Sequence, residues 1–206
     1  MADGSTGRLG VDALIADVLA RHSIRFDRAD DAVARTAAFR LRRQAVVERG
    51  WEGHAGDEDG VERDGFDEGA IVLVGRFEGQ VVATGRLVLP PAPLPTEEEC
   101  GLIVSPAGRV VDVGRMVVAR SQRVWHRGAF VALLAALYGE MRRQGFEVAT
   151  GMMARDVRAL ARVLGLRLEV LGVDRLSHGE LRAPVRFSAR DDGATLEARW
   201  AGRGDS

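Results

Sequence analysis

Apolar positions along the chain switch repeatedly between a helical and a strand period, which predicts a mixed α/β domain. Leu14, Ile15, Val18 and Leu19 mark an amphipathic helix over Val11 to His22, followed by a strand over Ser23 to Phe26. Asp30 or Asp31 then offers an N-cap for a helix reaching about Glu48 and closed by Gly50. In that helix Phe39, Arg42 and Val46 share a stripe, so Arg42 is expected to be half-buried. Residues Glu52 to Arg63 are acidic and Gly-rich and read as a loop of solvated charge.

Two Val/Ile-rich runs, Ala70 to Phe77 and Gln80 to Leu89, flank Glu78-Gly79 and predict a hairpin. Pro90, Pro91, Pro93 and Pro95, with Glu97 to Glu99, read as a loop, and a third strand follows at Arg109 to Arg120. Phe130, Leu133, Leu134, Leu137 and Met141 recur on one face of a helix that Gly145 ends. Beyond it lie a strand (Phe146 to Met153), a helix (Asp156 to Leu164, stopped by Gly165), a strand (Leu166 to Leu171) and a late strand through Leu181, Ala183, Val185 and Phe187. The expected organisation is an N-terminal extension over 1–22, one domain over 23–200 and a frayed tail over 201–206.

Composition narrows the function. The 206 residues carry a net charge of −1, which supplies no global field for nucleic acid. No run is long and apolar enough for a membrane span or a secretory leader, and a single Cys100 excludes a disulfide framework, so a cytoplasmic protein is expected. All 29 basic residues are Arg, which excludes lysine Schiff-base and P-loop chemistry. The four histidines lack a metal-ligand spacing, and no metal is predicted.

Six charged residues stand where ordered backbone is expected: Arg42, Asp64, Asp67, Arg86, Asp112 and Arg115. Their spacing fits a structural ion-pair network or a catalytic site. Asp112 and Arg115 would point to opposite faces of a regular strand. They can share a cleft only if the strand bulges, and Gly114 between them marks the place. A bulge also frees N–H groups that can polarise a thioester carbonyl. The helix start at Arg123, Trp125, His126, Arg127 and Gly128 is a candidate phosphate site.

These blocks resemble a known family. Leu41-Arg42-Arg43-Gln44 through Glu48-Arg49-Gly50-Trp51, Asp64-Gly65-Phe66-Asp67, Gly85-Arg86-Leu87 and Asp112-Val113-Gly114-Arg115-Met116 look like the successive blocks of the acyl-homoserine-lactone (autoinducer) synthases. Those enzymes are relatives of the N-acyl amino acid synthases in the GNAT superfamily, and the likeness covers roughly residues 24 to 190. It implies a GNAT-like, mostly antiparallel sheet split by a V-shaped cleft for the pantetheine arm of an acyl carrier protein or coenzyme A. It implies no permanent cofactor, a thioester donor, and an amino-acid-like acceptor such as S-adenosylmethionine. By the same resemblance Arg42 and Trp51 belong to a mobile N-terminal lobe, while Asp64, Asp67 and Arg86 clamp the acceptor. Asp112 stands where the family usually has Glu and takes a proton from the amine, and Arg115 orients it. Met116, Val117 and Val118 would pair with the pantetheine amides, Arg123, Arg127 and Gly128 would lie at its phosphate end, and Met152 and Met153 would line the acyl chamber. Val46 departs from the aromatic residue common there. A conventional acetyl-coenzyme A acetyltransferase and an inactive GNAT-fold binding module are the alternative readings.

Overall fold

The computed structural model describes residues 6–51, 60–120 and 126–188. Among the described residues eight strands form one sheet: β1 (Arg25–Arg28), β2 (Ile71–Phe77), β3 (Gln80–Val88), β4 (Val110–Val118), β5 (Val148–Ala154), β6 (Glu169–Val170), β7 (Arg175–Ser177) and β8 (Glu180–Ser188). Their order is β1-β2-β3-β4-β5-β8-β6, with β7 also on β8, and every pairing is antiparallel except β4 with β5. The helices are α1 (Thr6–Ala20), α2 (Ala32–Glu48), α3 (Pro95–Cys100), α4 (His126–Arg143) and α5 (Arg155–Leu164).

Both faces of the central strands are covered, which is why β2 and β3 read as near-continuous apolar runs. On one face Leu133, Leu137 and Met141 of α4 pack on Leu73, Leu87, Val111, Val113 and Ala149. On the other, Ala34, Ala38 and Phe39 of α2 cover Val72 and Val74. Gly85 makes room for this packing, because a Cβ there would stand 2.7 Å from the Leu137 side chain and displace it. Asp31 caps α2 by accepting from the Ala34 N–H, and Glu78-Gly79 makes the predicted hairpin turn, both residues at positive φ.

Several boundaries differ from the sequence reading. The first helix begins at Thr6, and its Asp12 pairs with Arg142 while Ile15 lies against Gly139, so it is bound into the domain through α4. The first strand shifts to Arg25–Arg28, and the expected strand over Leu166 to Leu171 shrinks to Glu169–Val170. The Pro-rich stretch read as loop contains α3, with Pro95 in the first turn, where its missing N–H costs nothing. The tail over 201–206, the acidic run over 52–59 with His54, and Arg123 and Trp125 lie outside the described residues. No helix among the described residues is long and apolar enough to cross a membrane.

Candidate active site

The site begins where β4 and β5 part. They pair only through Val110↔Val148, Val111↔Ala149 and Asp112↔Thr150, and beyond Gly151 the two strands separate. Gly151 marks the fork: a Cβ there would sit 2.4 Å from the Val113 carbonyl oxygen. The gap opens into a cavity of about 460 Å³, walled by Val113, Gly114 and Met116 of β4, Met152 and Met153 of β5, Phe130 of α4 and Val157 of α5. Asp112, Arg115, Arg86 and Asp64 line its polar side.

Asp112 and Arg115 reach this one cavity because β4 bulges. Opposite β3, the step from Arg86↔Gly114 to Thr84↔Val117 spends three residues of β4 against two of β3, and Arg115 takes φ +52°. The extra residue reverses the alternation, which brings the guanidinium round to the carboxylate side of the sheet. Proximity does not become pairing, however. Arg115 reaches Asp64 Oδ2 (2.6 Å), Glu62 Oε1 (3.0 Å) and His178 Nε2 (2.7 Å), so it does not orient Asp112 as the resemblance implies.

Asp112 is held instead by α3. The Thr96 backbone N–H donates to Asp112 Oδ2 at 2.8 Å, so the carboxylate caps a helix whose own N-cap, Leu94, provides no side-chain bond. The residue is only 3% exposed. Burial pushes its carboxyl up to about 6, against the opposing hydrogen bonding from Thr96 and the charge of Arg86. Oδ1 lies on the Gly114 side, 3.6 Å from where a Cβ on that glycine would be.

The remaining charges form a chain of alternating sign. Arg42 Nη1 donates to Asp67 Oδ1 (2.8 Å), Asp67 Oδ2 lies 3.1 Å from Arg86, and Arg86 reaches Asp64 Oδ1 (2.5 Å). A short 3-10 turn, Gly65–Asp67, sets the two acids: Asp64 accepts from the Phe66 N–H while Asp67 accepts from the Asp64 N–H. Arg42 is 1% exposed rather than half-buried, because its acidic partners come from a segment that the helical stripe does not foretell. Burial lowers the Arg42 pKa against the pull of Asp67 and Glu62. For Asp64 burial works the other way, yet Arg86 and Arg115 outweigh it and hold the carboxyl below its ordinary range.

A recess of about 70 Å³ adjoins this chain, lined by Trp51, Arg49, Val46, Val117 and Arg182 among others. Trp51 carries the guanidinium groups of Arg49 and Arg182 at 4.7 and 5.2 Å from its ring. Met116, Met152 and Met153 line the main cavity, and the Val118 side chain is buried in the core. Gly128 faces His22 rather than the cavity, and the side chains of His126 and Arg127 lie outside the described residues. Sequence reasoning missed Glu62, Thr96, His178 and Arg182. Only Arg182 left a local signal, a charge at a position of the late strand that faces the site.

The overall fold recurs in solved structures. The AHL synthase LasI superposes with a TM-score of 0.71 at 17% identity, covering 86% of this chain and 94% of that one. The fold is that of the acyl-homoserine lactone synthases. BjaI, a CoA-dependent acyl-homoserine lactone synthase solved with SAM and isopentyl-CoA, gives 0.69 at 22% identity, covering 87% and 88%. FeeM, an N-acyl amino acid synthase from uncultured soil microbes, gives 0.65 at 13% identity, covering 85% and 96%. No family model and no curated protein matches the chain.

Proposed function

We propose that this chain is an N-acyltransferase that moves an acyl group from a pantetheine-linked thioester, acyl-carrier-protein or acyl-coenzyme A, to the amine of an amino-acid-like acceptor. The observation that carries the reading is the Asp112 carboxylate, buried at the fork of β4 and β5 with its pKa pushed up to about 6. A base must bind a proton reversibly near the working pH, and an ordinary Asp is too weak a base to do so. The fold shared with LasI, BjaI and FeeM supports the same class of chemistry.

The acyl chain occupies the apolar side of the cavity between Met116, Phe130, Met152 and Met153, and the thioester carbonyl lies beside the bulge at Gly114. An ammonium has no lone pair, so Asp112 first accepts its proton, through a water in reach of Oδ1. The neutral amine attacks the carbonyl carbon and the C–N bond forms. The backbone N–H groups loosened by the bulge face the developing oxyanion. The C–S bond then breaks, and the second ammonium proton goes to the departing thiolate. Arg86, Arg115 and their acids fix the polar wall against which the acceptor is held.

Acceptors of two kinds meet this chemistry: S-adenosylmethionine, leading to an acyl-homoserine lactone, and a free amino acid, leading to an N-acyl amino acid. Incubation of the full chain with acyl-coenzyme A or acyl-carrier protein and a panel of amines tests the proposal, with thiol release and product mass as readouts. An amide product is expected. A folded chain that yields none from any donor and amine pair overturns the reading. Feeding an expressing culture labelled methionine separates the acceptors, since only a product built from S-adenosylmethionine carries the label.

A further inference from the structure

Among the described residues three non-glycine positions have positive φ: Glu78 in a hairpin turn, Arg115 at +52° and His178 at +46°. The last two meet, Arg115 Nη1 lying 2.7 Å from His178 Nε2. Arg115 holds this conformation within the bulge, where backbone strain marks a side chain that must be aimed, and His178 holds it as the first residue of a tight turn. His178 and Gly179 form the two-residue turn between β7 and β8, with Ser177 opposite Glu180. The turn rests on Trp51, since a Cβ on Gly179 would stand 2.4 Å from its indole.

A guanidinium has only donors, so the contact requires His178 Nε2 to be the acceptor of a neutral imidazole whose proton sits on Nδ1. From this contact between the bulge and the β7–β8 turn in one cavity wall we propose that His178 is a positioning residue. In its neutral form it fixes Arg115 against the reaction cavity and docks the β7–β8 turn over the site. The inference rests on the acyltransferase reading only for its kinetic consequences. The charged groups that share the cavity and recess with His178 on its side are Arg115 on β4, Glu180 and Arg182 on β8, Arg49 at the end of α2, and Glu62 and Asp64, which bind Arg115. A proton on His178 would place an imidazolium against the Arg115 guanidinium, so the contact is lost in acid.

Two variants separate aim from fold. His178→Asn keeps the turn, because Asn-Gly is the preferred pair for two positive-φ positions, but is too short to reach Arg115. His178→Gln is longer and can present an amide oxygen to Arg115 at every pH. We expect His178→Asn to melt like the parent while kcat drops roughly 10- to 100-fold, the scale of a misplaced polar group. In His178→Gln much of the rate returns, and an inflection present in the parent's acid limb disappears. Parental kcat and an unchanged pH profile in His178→Asn overturn the proposal. Nitrogen-15 NMR of histidine-labelled full-length chain supplies a readout independent of turnover: at pH 7.5 the His178 signal should show Nδ1–H and a bare Nε2. An Nε2–H tautomer overturns the inference even if acyl transfer is intact, whereas the expected tautomer in a chain that transfers no acyl group leaves the contact standing and removes the acyltransferase reading alone.

Discussion

Asp64 gives one carboxylate oxygen to Arg86 and the other to Arg115, at 2.5 and 2.6 Å. One acid thereby ties the middle of β3 to the bulge of β4, and both guanidinium groups depend on it for their orientation. Asp64→Asn should slow transfer and lower the melting temperature, because two neighbouring cations lose the charge that separates them. A double-mutant cycle with Arg115→Gln is expected to return a coupling on the order of 1–3 kcal/mol, at the low end since Asp64 is about a quarter exposed. Additive effects would mean that the two groups do not act as a unit.

The Asp112 pKa shifts the opposite way from that of Asp64, and stability and activity should therefore separate at this residue. Its pKa is raised in the folded chain, so the native state binds the proton more tightly than the unfolded one, and stability falls as pH rises from about 4 to about 6. Asp112→Asn removes that loss while its amide oxygen can still accept from the Thr96 N–H. The variant should gain up to about 3 kcal/mol at pH 8 and show no such gain at pH 4. Denaturant melts at the two pH values check the sign.

Turnover of Asp112→Asn should fall roughly 10²- to 10⁴-fold, and the parent's rate should rise through pH about 6 to a plateau. A rate that is unchanged at pH 7.5 would remove the carboxylate from the mechanism.

Among the described residues Arg42 donates through Nη1 alone, its Nε and Nη2 having no hydrogen-bond partner there, and it stacks 5.0 Å from the Phe39 ring. Arg42→Ala leaves Asp67 with half of its neutralising charge and should cost about 3–5 kcal/mol, read as a melting temperature lower by roughly 10 °C. Arg42→Lys can keep the single contact and should recover part of that loss. Equal melting for both would show that the ring packing, not the charge, matters.

Gly151→Ala tests the fork itself. The added methyl must displace the Val113 backbone, for which no side-chain adjustment suffices, and overpacking of this kind costs about 1–3 kcal/mol or more. Donor KM should rise along with the loss of stability, measured by thiol release against thioester concentration.

Much of this arrangement was legible in the chain, and its gaps have a physical pattern. The bulge could be read because a glycine inside an apolar strand run has few other uses, and the Glu78-Gly79 hairpin and the Leu133, Leu137 and Met141 face were equally local signals. Pro90, Pro91 and Pro93 masked α3, since the same residue type that ends structure also starts it at Pro95. The partners of the charges were not legible. Asp112 meets Thr96, Arg115 meets Glu62 and His178, and Arg42 meets Asp67, each across a chain separation that no period encodes. Arg115 consequently read as the companion of its sequence neighbour Asp112, when tertiary packing had committed it elsewhere.

Three residue pairs are all that join β4 to β5. Along the sheet the two halves share only this short seam, with α4 packed beneath both, and whatever fills the notch with its own amides would act as a stitch across it. Amide hydrogen exchange along 113–118 and 151–154 should therefore slow when a thioester is present, and the protein should handle as a softer body when starved of substrate than when fed.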